Sequence, residues 1–163
     1  MKRRIPPGPG QESVWDYPRP PRLEPVRKAL RIELAGVTIA TTSSAFRVLE
    51  TSHPPVYYLA PDAFVPGVLR PSDRTSFCEF KGMARYYDLV AGDRVERDAA
   101  WAYPQPSPGF ADIRSYVAVY ANRVDACYVD DERVQAQAGD FYGGWITGEI
   151  VGPFKGAPGT GGW

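Results

Sequence analysis

Apolar and polar residues alternate in short runs along this chain, and the runs end at glycine, proline or aspartate. Leu30, Ile32 and Leu34 alternate with Ala29, Arg31 and Glu33. Ala35-Gly36 then turns the chain into Val37 and Ile39, a pattern that predicts a β-hairpin between Arg27 and Thr41. Ala45 to Glu50 predicts a further strand with Phe46 and Val48 on one face and Arg47 and Leu49 on the other. Pro54-Pro55 interrupts it, and Val56 to Leu59 resumes extended. Ala60 to Asp73, with three prolines and a glycine, predicts a loop that opens with one helical turn at Pro61-Asp62-Ala63-Phe64. Strand pattern returns at Thr75 to Phe80 and, past a turn or bulge at Gly82, at Met83 to Leu89.

Ala91-Gly92-Asp93 reads as a turn, Ala99 to Tyr103 as a short strand, and Phe110 to Ile113 as a turn of helix. Arg114 to Tyr120 and Arg123 to Val129 alternate well, with turn residues at Ala121-Asn122 and Asp130-Asp131. No segment keeps a helical period over three turns. The expected fold is all-β: a small antiparallel barrel or sandwich of short strands with at most one or two helical turns.

The two ends differ from this middle. Seven of the 17 prolines fall within the first 25 residues, which predicts an extended arm over residues 1–13, with Trp15 and Tyr17 pinning it to the body. Residues 14–138 form the single β domain. Nine of the 16 glycines follow Ala138, interleaved with Phe141, Tyr142, Trp145, Phe154 and Trp163. A flexible linker carries serine rather than tryptophan, so residues 139–163 are expected to wrap the body as an irregular tail. A phosphate-cradling loop is the sharper reading of this glycine, but no hydroxyl follows the lysine of Lys155-Gly156-Ala157.

Composition narrows the function classes. The 163 residues suffice for one core, and 19 basic against 19 acidic side chains leave no field to attract nucleic acid or anionic lipid. No apolar run is long enough to span a membrane, and no apolar stretch follows the basic start, so the cytoplasm is the expected location. Cys78 and Cys127 are expected to be reduced core residues. With His53 the only histidine and no Cys-x-x-Cys pair, neither a metal site nor a cofactor is expected; a site of His53, Cys78 and Cys127 is the one conceivable set.

Two segments place charge among aromatic and β-branched residues: Glu50 to Leu59 (ETSHPPVYYL) and Thr75 to Leu89 (TSFCEFKGMARYYDL). A lysine between aromatic rings can lose its hydration, which favours the neutral amine and makes a usable base or nucleophile. Lys81 and Glu50 are therefore the catalytic candidates. Arg47, Glu50, His53, Tyr57, Tyr58, Glu79, Lys81, Trp101 and Tyr103 are the candidate ligand-binding set. Arg47 and Glu50 could orient a carboxylate or amide, or pair with each other. Glu79 and Lys81, two apart, could instead share a strand face as a cross-strand ion pair. Trp101 and Tyr103 could wall a pocket or fill a core. No nucleophile elbow accompanies His53, and Ser52 is only its neighbour in sequence.

ETSHPPVYY (Glu50 to Tyr58), TSFCEFKGMARYY (Thr75 to Tyr87), AAWAYPQP (Ala99 to Pro106) and IRSYVAVY (Ile113 to Tyr120) resemble, in order and spacing, the family of the domain of unknown function 427, also catalogued as nucleotidyltransferase family 9. The resemblance spans roughly Val14 to Val129. It implies a small, mostly β protein and no established activity or catalytic set. Nucleotidyl transfer needs spaced metal-binding carboxylates after a Gly-Ser step; Asp130-Asp131 sits in a turn without one.

Two readings follow. In the first the chain is a small-molecule pocket protein, binding or weakly catalytic, and either monomer or homodimer. In the second it is an interaction or structural module that uses the proline-rich arm and aromatic tail. They differ on whether the charged side chains converge on one hollow.

Overall fold

Two successive positive φ angles, 55° at Ala35 and 77° at Gly36, close the predicted hairpin as a tight turn whose twist matches its strands. A computed structural model describes residues 3–163; Met1 and Lys2 of the expected arm lie outside the described residues. The hairpin joins β3 (Leu30–Leu34) to β4 (Val37–Thr42), and β11 (Ala126–Val129) pairs with the free edge of β3. A second pair of positive φ angles, 48° at Asp130 and 66° at Asp131, returns the chain into β12 (Glu132–Arg133). These strands make one four-stranded sheet in the order β12-β11-β3-β4.

The opposing layer is longer. β2 (Arg22–Val26), β5 (Ala45–Leu49) and β6 (Val56–Tyr58) form three antiparallel strands. β7 (Leu69–Cys78), β8 (Gly82–Ala91), β9 (Arg94–Ala102) and β10 (Val117–Val119) form four more, in the order β10-β9-β8-β7. Leu59 joins the two groups: its amide donates to the Val117 carbonyl at 2.9 Å and its carbonyl accepts from the Val117 amide at 2.7 Å. The architecture is sandwich-like and all-β, with antiparallel sheets that do not close into a barrel.

Period-two alternation gives this long layer two buried faces. Tyr57, Ala100, Ala102, Val117 and Val119 point into the main core with Leu30, Ile32 and Leu34. Tyr58, Trp101, Tyr103, Ala118 and Tyr120 point the other way, into a second cluster built mostly of rings. The aliphatic face binds the sandwich together. The aromatic face borders a cleft.

Arm and tail lie on the body. β1 (Glu12–Ser13) pairs in parallel with β15 (Ile150–Val151), and the Trp15 indole N–H donates to the Pro153 carbonyl at 2.8 Å. Trp15, Tyr17, Leu49 and Ile150 pack into a third cluster with Trp163 beside it. Farther along, β13 (Gln135–Ala136) pairs with β14 (Trp145–Ile146). Trp145 is wholly buried, stacks on Tyr57 with centroids 5.1 Å apart, and donates its indole N–H to the Val119 carbonyl at 3.0 Å.

Several boundaries differ from expectation for identifiable reasons. β7 begins at Leu69, not Thr75, and runs through Pro71; as an edge strand it tolerates a missing amide, and its register shifts between Pro71 and Thr75. β9 begins at Arg94 because its charged first half is solvent-facing, which hides the strand pattern. Arg114 to Tyr120 supplies only Val117–Val119, since Arg114 caps a 3-10 turn (Pro108–Ile113) and Ser115 takes a positive φ of 61°. Another 3-10 turn, Ala121–Arg123, takes the expected Ala121-Asn122 turn and the first residue of the last predicted strand, and a third, Val14–Asp16, lies just past the expected arm. The fourth, Pro61–Ala63, lies where the proline predicts it.

If the tail is part of the core, Trp145→Ala leaves a cavity and an unpaired Val119 carbonyl. It should lower unfolding free energy in urea by about 3–5 kcal/mol. A loss below about 1 kcal/mol would show a tail that merely rests on the surface.

Candidate functional site

The aromatic face of the long layer opens into a cleft of about 360 Å³, near the lower end of the range for small-molecule sites. Its floor is Tyr58 from β6, Tyr86 from β8 and Trp101 and Tyr103 at the end of β9. Three segments build the walls. One is the hairpin turn after β7, with Glu79, Phe80 and Lys81; the second is the turn after β5, with Glu50 and His53. The tail supplies the third, through Phe141, Tyr142, Lys155 and Trp163.

Alternation decides which sequence-predicted residues arrive here. Tyr58 lines the cleft, whereas Tyr57, its strand neighbour, faces the main core under Trp145. Arg47 sits opposite Tyr57 in the β5–β6 register and shares its face. Its guanidinium binds Glu24 at 2.6 and 2.8 Å and Glu12 at 3.1 Å, so it is a structural ion-pair centre on another side of the molecule, not a partner of Glu50. Those carboxylates hold its charge on despite burial. Glu50, His53, Tyr58, Glu79, Lys81, Trp101 and Tyr103 all border the one cleft.

Lys81 is the unusual group. The hairpin turn that carries it is fixed by the Ser107 amide, which donates to the Lys81 carbonyl at 3.0 Å. Gly82 follows at a φ of 109°, with the Gln105 carbonyl where a Cβ would crowd it, so only glycine suits this step. The backbone thus turns the Lys81 side chain inward to 8% exposure. Its ammonium lies 5.9 Å from the ring centres of both Tyr103 and Phe110. Among the described residues it forms no ion pair with a carboxylate. Glu79, predicted on a strand with Lys81, sits in the turn instead and stays exposed.

The opposite wall is better satisfied. Glu50 pairs with Arg19 at 3.2 Å and lies 3.9 Å from His53 Nδ1. His53 Nδ1 is 3.0 Å from the Thr51 carbonyl; a carbonyl only accepts, so Nδ1 carries the proton. Nε2 is then a bare acceptor, buried and without a hydrogen-bond partner, and the Tyr142 ring stands edge-on to the imidazole at 4.7 Å. Ser52, at a φ of 72°, holds this turn between arm and tail: its amide donates to the Val14 carbonyl and its carbonyl accepts from the Lys155 amide. Lys155 Nζ donates to the Trp163 carbonyl at 3.3 Å and faces the Tyr142 ring.

Burial raises the Tyr58 and Tyr103 hydroxyls well above the usual phenol range; Tyr58 and Tyr86 add to the shift at Tyr103, whereas hydrogen bonds with Trp101 and Tyr103 oppose it at Tyr58. They are hydrogen-bond donors at neutral pH, not bases. Cys78 borders the cleft and Cys127 lies in the main core, so these thiols and His53 do not meet. Among the described residues no three or more His, Cys, Asp or Glu side chains gather as for a metal ion.

The family profile described as Domain of unknown function (DUF427) matches residues 22–130, well over half of the chain. The chain belongs to the DUF427 family. No curated protein matches it. The DUF427 segment carries the floor of the cleft, Lys81 and the Glu50–His53 turn. Arg19, Phe141, Tyr142, Lys155 and Trp163 lie outside that segment and complete the walls. Sequence reading missed these five, because nothing in a proline-rich arm or a glycine-rich tail says which wall it will close.

Burial lowers the His53 pKa from 6.5; Glu50 and the Thr51 carbonyl oppose this, while Lys155 and Arg19 add to it. The folded state therefore resists protonation. Stability should fall as pH drops below about 6.5, where the unfolded chain takes up the proton first. As the sole histidine, its ring protons are identified in an NMR spectrum without assignment. Their titration midpoint should lie below that of a free imidazole; a midpoint at or above it contradicts this environment.

Proposed function

We propose that this protein binds a small molecule in the aromatic cleft, with Lys81 as the polar anchor. One observation carries the reading: Lys81 is a buried residue that borders the cleft, its Nζ 5.9 Å from two ring centres and, among the described residues, in no ion pair with a carboxylate. A buried charge without a partner is costly, and proteins rarely keep one that no ligand or ion completes. The flat faces of Trp101, Tyr103 and Tyr58 add the apolar surface that small-molecule sites use.

The interaction-module reading draws less support. Arm and tail spend Trp15, Tyr17, Trp145 and Ile150 on contacts within the chain. No described helix is long and apolar enough to cross a membrane, and Cys78 and Cys127 are free thiols, which suits a cytoplasmic setting.

A thermal-shift screen against a metabolite library tests this directly. A true ligand at about a hundredfold its Kd should raise the wild-type melting temperature by about 5–10 °C. Lys81→Ala should lose most of that shift. Arg47→Gln, remote from the cleft, should melt lower yet keep it. No shift with any compound, or equal shifts in wild type and Lys81→Ala, would remove the reading.

A further inference from the structure

Resting on that binding reading, the composition of the cleft narrows the ligand class. Three cations border it: Arg19, Lys81 and Lys155. Arg19 is neutralised by Glu50, and Lys155 already donates to the Trp163 carbonyl. Glu79 offsets one further charge but stays exposed at the mouth. A single buried, uncommitted positive group is left, which suits a monoanion and leaves a dianionic phosphate undercompensated.

The second uncommitted group has the opposite chemistry. With Nδ1 bonded to the Thr51 carbonyl, His53 offers only a lone pair at Nε2, and that atom is buried without a partner. A buried acceptor left unpaired costs free energy that a donor would recover. The cleft is thus bordered by one uncommitted cation, Lys81, and by one unpaired acceptor, His53 Nε2, which is occluded beside the Tyr142 ring.

We infer that the ligand is a small aromatic carboxylic acid bearing a ring hydroxyl or ring N–H. The carboxylate pairs with Lys81, the ring lies against Trp101 and Tyr103, and the hydroxyl or N–H donates to His53 Nε2. Tyr142, which now stands edge-on to His53, moves aside as the donor arrives. Simple aliphatic acids lack the ring, aromatic alcohols lack the charge, and aromatic amines carry the wrong sign.

Isothermal titration calorimetry with three probes separates these elements: 4-hydroxyphenylacetate, phenylacetate and the uncharged 2-(4-hydroxyphenyl)ethanol. On wild type the hydroxy acid should bind at least about tenfold tighter than the alcohol and about threefold or more tighter than phenylacetate. Lys81→Met should abolish the preference for acid over alcohol. His53→Phe should abolish the preference for hydroxy acid over plain acid while keeping that for charge. The wild-type ranking alone decides the point if a variant fails to fold. Alcohol and acid binding equally, a charge preference that survives Lys81→Met, or no binding by any probe would overturn the inference. Neutral or cationic hits in the thermal-shift screen that depend on Lys81 would sink it while leaving the binding reading intact.

Discussion

The Trp145 indole, stacked on Tyr57 and bonded to the Val119 carbonyl, is the contact on which the remaining arrangement depends. It fixes a glycine-rich segment that would otherwise have no reason to hold one path. Gly144 precedes it with the Pro54 carbonyl where a Cβ would sit, so the tail can pass that close only without a side chain. Once Trp145 is seated, the residues before and after it close the cleft. The nearest of these wall residues, Phe141 and Tyr142, lie within four residues of that anchor.

From this follows a division of labour between the faces of one sheet. The aliphatic face buries enough surface to hold the sandwich, and its side chains alternate with rings that have no equivalent partner sheet. Those rings are covered only in part, by the 3-10 turn Pro108–Ile113, the hairpin turn with Lys81, and the tail. The incomplete cover is the cleft. A cation placed there by the Gly82 turn is held next to ring faces, which attract it weakly compared with a carboxylate.

Much of this was legible in residue order. Gly36 and Asp130-Asp131 announce their turns, because glycine and, less readily, aspartate accept positive φ; Ala35 carries no such signal. Glu50, His53, Lys81 and Trp101 stand out as charge or ring bulk misplaced in strand-like text. Arg47 and Tyr57 looked equivalent to them, and the alternation of β5 and β6 separates them: with Phe46 and Val48 on the ring side, Arg47 must face away, and Tyr57 with it. That step needs the register between strands, which one sequence does not state. The tail's share was hidden for another reason. Its path is set by long-range contacts such as Trp145 to Tyr57, and glycine leaves no local signal of direction.

Everything functional rests on Lys81 being turned in among the rings. NMR of protein carrying 13C at the lysine ε-carbon reads this directly, since Lys2, Lys28, Lys81 and Lys155 are the only lysines and Lys81→Arg identifies the signal. The ε-methylene protons of Lys81 should be displaced upfield by the Tyr103 and Phe110 rings and give one sharp, ordered resonance. A signal at the position of a free lysine, unchanged when Phe110 is replaced by leucine, would place the amine in solvent and contradict the account.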